Sequence, residues 1–138
     1  MAQVGSCLCS RVRFEVVEPL RPFGNCHCSM CRKATGAAFW TCGPATVSSF
    51  SWLSGEDTVA WYESSPGSRR GFCSNCGSTL VMRDRAFPDT IGFSIAALDT
   101  NPATGPVMNI FVGSKAPWFD ITDALPSYHE VPPHDAEP

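Results

Sequence analysis

Seven of the eight cysteines in this 138-residue chain fall in three tight groups: Cys7-Leu8-Cys9, Cys26-His27-Cys28-Ser29-Met30-Cys31 and Cys73-Ser74-Asn75-Cys76. A zinc ion takes thiolate ligands at ~2.3 Å around a tetrahedron, and proteins supply them as pairs a few residues apart on tight turns drawn from distant segments. Each group supplies such a pair or trio. Cys73-x-x-Cys76 is followed by Gly77, as in a zinc knuckle, where a glycine accepts the positive φ that turns backbone amides toward the sulfurs. Pairing Cys73 and Cys76 with Cys7 and Cys9 makes a closed four-thiolate site, which is structural in kind. That leaves Cys26, Cys28 and Cys31, three ligands from one short loop, the pattern of a zinc that takes a fourth ligand from outside the chain. A centre so rich in thiolate is a weak polariser of carbonyls. It is better suited to binding an incoming thiol, lowering its pKa and holding it as a nucleophile.

Other uses of these cysteines compete. A disulfide framework suits an even count, but the chain shows no signal peptide, and two Cys-x-Cys pairs would close very tight rings. A thioredoxin-like role for Cys73 and Cys76 requires a helix after the motif, whereas Gly77-Ser78-Thr79-Leu80-Val81 reads as a turn into a strand. A second purely structural zinc remains open, its fourth ligand being Cys42 or a histidine. Cys42 stands alone and reads as a small buried hydrophobe. His27 lies between two ligands, so alternation points it away from the metal and into packing or a second-layer contact. Arg32 and Lys33 follow the trio directly, where they offset thiolate charge and meet a substrate carboxylate, or form a solvated basic pair. Arg69, Arg70 and Lys115 are further candidates for holding carboxylates.

The elements that position these residues read as short strands. Val12, Phe14 and Val16 alternate with charged neighbours. Further strand candidates are Thr46 to Leu53, Thr58 to Glu63, Ser78 to Arg83, Thr90 to Ala96 and Val107 to Val112. Twelve prolines and 11 glycines leave room for only one short helix, after Ser29 and ending near Gly36. The fold class is therefore mostly β, in a single domain over residues 2–125. Residues 126–138 carry four prolines and three acidic residues and read as a loosely attached tail, whose His129 and His134 are set aside as bystanders.

The charge balance argues against a nucleic-acid partner, because Lys and Arg total 10 against 13 Asp and Glu. Seven ionised thiolates and two zinc ions would move the formal charge from −3 to about −6. No apolar run approaches the ~20 residues of a membrane span, and no secretory leader precedes Cys7. A cytoplasmic protein with no membrane partner is expected.

Gly5-Ser6-Cys7-x-Cys9, Cys26-His27-Cys28-x-x-Cys31-Arg32-Lys33-x-x-Gly36 and Arg70-x-Phe72-Cys73-x-x-Cys76-Gly77-Ser78 together resemble the glutathione-dependent formaldehyde-activating enzyme family, which includes centromere protein V. The likeness continues through Tyr62-x-Ser64-Ser65 and Phe111-Val112-x-Ser114-Lys115-Ala116-x-Trp118, up to about Tyr128. The resemblance implies a zinc-stabilised β-tent of small antiparallel sheets. Cys7, Cys9, Cys73 and Cys76 match the structural-zinc positions, and Cys26, Cys28 and Cys31 match the catalytic ones. It also implies carbon-sulfur lyase chemistry, the addition of glutathione to formaldehyde to give S-(hydroxymethyl)glutathione. The family often has a histidine before the Ile-Phe-Val segment, where this chain has Asn109. A non-catalytic thiol carrier or protein-binding module is the competing reading.

Overall fold

A computed structural model describes residues 2–133 of the chain. Its strands are β1 (Gln3–Ser6), β2 (Arg13–Val16), β3 (Gly24–Cys26), β4 (Trp40–Thr46), β5 (Phe50–Ser54), β6 (Val59–Ser65), β7 (Ser68–Cys73), β8 (Thr79–Asp84), β9 (Thr90–Ser94) and β10 (Met108–Ile110). The α-helix among them, α1, spans Ser29–Thr35. Mostly β with one short helix, the fold agrees with the class read from the turn-rich composition.

The strands form two sheets. A three-stranded sheet has the order β1-β2-β5, and a seven-stranded sheet runs β10-β3-β4-β9-β8-β7-β6. Every pair is antiparallel except β10 with β3. That parallel pair is possible because a long stretch of chain separates the two strands, giving the return path that parallel pairing requires.

The small sheet covers one face of the larger one. Val12, Phe14 and Val16 point inward from around β2 and meet Leu80, Val81, Ile91 and Phe93, all of them buried. Phe14 is central, stacked on Phe50 at 5.3 Å between ring centroids and edge-on to Phe93 at 6.0 Å. The opposite face of the seven-stranded sheet holds a second cluster in which Cys26, Cys31 and Trp40 pack with Cys28, Cys42, Met82, Ile110 and Phe111. On β8 the adjacent Val81 and Met82 serve the two clusters in turn, as the two-residue period of a strand requires.

Two expected elements differ in detail. The stretch from Thr46 to Leu53 is not one strand: Thr46 ends β4, a 3-10 turn occupies Val47–Ser49, and β5 begins at Phe50 in the other sheet. The Ser49 hydroxyl donates to the Thr46 carbonyl at 2.9 Å and closes that corner. Pro126 to Glu130, the start of the stretch read as a loose tail, instead lies along β10 and the residues after it. Asn109 N donates to Pro126 O, Tyr128 N to Asn109 O and Phe111 N to Glu130 O, at 2.8 to 2.9 Å. His129 packs beside Gly113, while His134 and the residues after it lie outside the described residues.

Candidate metal centres

The first and third cysteine groups meet at one end of the large sheet. The Cys7, Cys9, Cys73 and Cys76 sulfurs all lie within 4.8 Å of one another. Cys7 is 3.6 Å from Cys9 and Cys9 is 3.8 Å from Cys73, sulfur to sulfur. Four bonds of ~2.3 Å at tetrahedral angles separate ligand sulfurs by about 3.8 Å, so the cage fits zinc and is far wider than a disulfide.

Local backbone geometry explains why these turns present sulfur. Cys73 closes β7, and Gly77 with φ +80° lets the chain fold back so that its amide reaches Cys73 O at 2.7 Å. The Cys76 amide then points at Cys73 Sγ at 3.4 Å, and the Val12 amide at Cys7 Sγ at 3.3 Å. Ser78 joins the two turns, accepting from Leu8 N at 2.9 Å and contacting Cys76 Sγ at 3.2 Å. Burial pushes the Cys7 thiol up to about 11. Cys76 is also desolvated, but hydrogen bonds from the Ser78 hydroxyl and the backbone outweigh that and bring it down to about 5. The Asn75 side chain, followed by the Arg11 backbone, lowers Cys9.

The middle group forms a separate three-sulfur set on the other face of the sheet. Cys26, Cys28 and Cys31 place their sulfurs within 4.8 Å of one another, with Cys31 to Cys26 at 3.4 Å. Cys26 ends β3, and Cys28 is the N-cap of α1, its Sγ accepting from Cys31 N at 3.2 Å. The helix ends as its sequence requires, on Gly36 with φ +68° and its amide bonded to Arg32 O. Hydrogen bonds from Cys26 and Cys31 hold the Cys28 thiol well below its ordinary range, with help from the Arg70 charge, whereas the same shared bonds push Cys26 up.

Neither alternative fourth ligand joins this set. His27 is fully buried and turned away, with Nε2 3.2 Å from Asn109 Oδ1 and its ring against Phe39 at 5.1 Å. Cys42 packs beside the set without belonging to it, and burial pushes its thiol up to about 12. All three donors are soft sulfurs at spacings a tetrahedral ion spans, so the residues fit zinc here too.

The charge beside the trio comes from Arg70 on β7. This arginine is only 7 % exposed, donates from Nη2 to Cys31 Sγ at 3.5 Å, and is held by Ser64 Oγ at 3.2 Å with its guanidinium 5.7 Å from the Trp40 ring centroid. Among the described residues no carboxylate pairs with it. A divalent ion held by three thiolates would carry one net negative charge, and Arg70 is placed to offset it in a poorly hydrated position. Arg32 is half-buried and Lys33 exposed in the last turn of α1, and neither hydrogen-bonds a trio sulfur. Lys115 donates to the carbonyls of Ala116 and Phe119.

A second feature goes beyond the cysteine spacing. Asn109, 1 % exposed, accepts at Oδ1 from Asn25 Nδ2 at 3.3 Å, meets His27 Nε2 there, and donates from Nδ2 to Asp123 Oδ1 at 3.0 Å. Asn25 and His27 alternate with Cys26 and Cys28, so this buried network fixes the loop from behind while the cysteines face forward. That alternation of polar residues with cysteines was the available signal. For Arg70 only the residue type was legible, because its partner lies 39 positions away.

Comparison with known proteins adds the following. Residues 2–114 match the family model described as glutathione-dependent formaldehyde-activating enzyme. A Halomonas elongata protein provisionally named as such an enzyme is 31 % identical over 125 residues, covering 85 % of this chain and 79 % of its own. An uncharacterised lyase of Schizosaccharomyces pombe is 32 % identical over 78 residues, 56 % of this chain and 55 % of its own. A Rhodobacter sphaeroides crystal structure superposes with a TM-score of 0.61 at 26 % identity, covering 75 % of this chain and 97 % of that one.

Proposed function

Since this chain belongs to the glutathione-dependent formaldehyde-activating enzyme family, we propose that it is a two-zinc carbon-sulfur lyase that adds a glutathione-like thiol to a small aldehyde such as formaldehyde. The observation that carries this reading is a three-sulfur donor set to which neither His27 nor Cys42 adds a fourth ligand. Cys26, Cys28 and Cys31 are the proposed catalytic zinc ligands, and Cys7, Cys9, Cys73 and Cys76 the proposed structural ones. Zinc held by the trio supplies a position at which a thiol loses its proton readily and stays nucleophilic.

The chain's own groups do the rest. Cys28, fixed by the Cys31 amide, keeps the three sulfurs facing one way. Arg70 balances the negative charge of the thiolates. Arg32 and Lys33, one turn or so along α1, are the proposed partners of the tripeptide's carboxylates. In the reaction the sulfur forms a bond to the carbonyl carbon, the carbonyl π pair moves to oxygen, and the proton given up by the thiol ends on that oxygen. The product is S-(hydroxymethyl)glutathione, a hemithioacetal. Uncatalysed addition is already easy, so the gain is mainly from proximity.

The test follows loss of glutathione thiol and appearance of the hydroxymethyl signal by NMR, with the zinc-loaded protein and several thiols and aldehydes. A rate above the spontaneous one that disappears in Cys28→Ser is the expected result. Saturable thiol binding with no rate enhancement for any pair would replace the enzyme by a thiol carrier.

A further inference from the structure

The β6-β7-β8 region carries a surface cavity of about 530 Å³ that the thiol chemistry does not use. Trp61, Arg69, Arg83 and Arg85 line it, along with Glu63 and Asp84. Arg69 and Arg83 are directly opposite in the β7–β8 register, a relation in which like charges repel. The Arg69 guanidinium lies 4.6 Å over the Trp61 ring, which holds it in place on the cavity wall.

Glu63 stands directly opposite Arg69 in the β6–β7 register, yet both acids spend carboxylate oxygens on other donors. Glu63 Oε1 accepts from Gly67 N at 3.0 Å, while Asp84 accepts from Ser68 Oγ at 3.0 Å and from Ala86 N at 2.9 Å. Among the described residues, no ion pair joins either acid to Arg69, Arg83 or Arg85. Arg83 donates from Nη2 to Pro88 O at 3.0 Å, yet its Nε is buried without a partner. A repelling arginine pair with a third arginine beside it, none of the three within ion-pair distance of a carboxylate, favours an acceptor from outside the chain.

We propose that this cavity binds an oxyanion, a carboxylate or phosphate group borne by a small molecule. Its ligand is distinct from the thiol handled at the trio. Arg69 and Arg70 are consecutive in β7, so their side chains leave opposite faces. Arg70 reaches Cys31 Sγ, which puts the Arg69 cavity across the sheet from the three sulfurs.

Isothermal titration calorimetry of the zinc-loaded protein at low salt tests this with inorganic phosphate, succinate and citrate in turn. None of them carries a thiol. Saturable binding of at least one probe at millimolar or lower concentration is expected, and the tightest probe identifies the preferred oxyanion. Arg83→Gln, and separately the exposed pair Arg69→Gln with Arg85→Gln, should each weaken it by about tenfold or more, and added salt should weaken it further. Cys28→Ser should leave it unchanged, which separates this site from the thiol reading. No saturable heat with any probe, binding that survives loss of the arginines, or loss of binding in Cys28→Ser would each overturn the proposal.

Discussion

Replacing Arg70 with glutamine removes a buried positive charge that sits against Cys31 Sγ while keeping a side chain able to hydrogen-bond Ser64. At the 3.5 Å separation of Nη2 and Sγ, two unit charges in surroundings of effective dielectric ~20 attract by about 5 kcal/mol. The guanidinium charge is delocalised and its burial opposes that attraction, so the net loss approaches that of a charged hydrogen bond, about 1.5 to 3 kcal/mol. Zinc affinity at the trio should therefore fall about 10- to 100-fold, a range also seen when second-layer partners of metal ligands are removed. The four-sulfur cage, built from other segments, should keep its ion. Competition with a chromophoric chelator resolves the two ions, one released early and one late, with circular dichroism as a check on folding. Arg70→Lys retains the charge and should recover part of the affinity even if the glutamine variant is destabilised. Unchanged affinity at the weaker site, or equal loss at both, would refute the assignment of Arg70 as the charge partner of the trio.

Cys76→Ser opens the four-sulfur cage, and because structural zinc contributes ~10 kcal/mol or more to folding in small zinc domains, soluble yield and melting behaviour should collapse. A soluble variant with an unchanged melting curve would remove the structural role. Cys28→Ser should leave the far-ultraviolet spectrum and one zinc equivalent intact, since serine also caps a helix N-terminus, while thiol-dependent activity disappears. Retention of two tightly held ions by that variant would contradict the three-ligand site. Asn109→Ala strands the Asn25 amide and His27 in a buried network, so denaturant unfolding should show a loss of about 2 to 4 kcal/mol, and a change within error would deny Asn109 its central place.

Much of the site was legible in the linear sequence because metal ligation is locally coded. A Cys-x-Cys or Cys-x-x-Cys pair needs only a tight turn to aim both sulfurs one way, and Gly77 marks the turn that the third group uses. The short helix was legible for a similar reason: Gly36 takes the left-handed conformation that ends it, and the first turn begins directly after Cys28. The alternating apolar residues of β2 and β9 likewise announce a sheet face.

Strands β3, β4 and β7 carried no such signal. β7 reads Ser-Arg-Arg-Gly-Phe-Cys, and its inward positions hold an arginine and a glycine where alternation would place apolar residues. β4 includes Gly43 and Pro44, and three-residue β3 is little more than the approach to Cys26. Residue types and local spacing were thus enough to single out the seven cysteines that the fold gathers into a four-sulfur and a three-sulfur set, and the strand-rich fold. Only the tertiary structure decided that Arg70 rather than Arg32 or Lys33 lies against a trio sulfur, that His27 turns back to Asn109, and that Arg69 faces a separate cavity. Those outcomes depend on which strands become neighbours and in what register, and that is set by burial of the whole apolar surface at once, which no local pattern encodes.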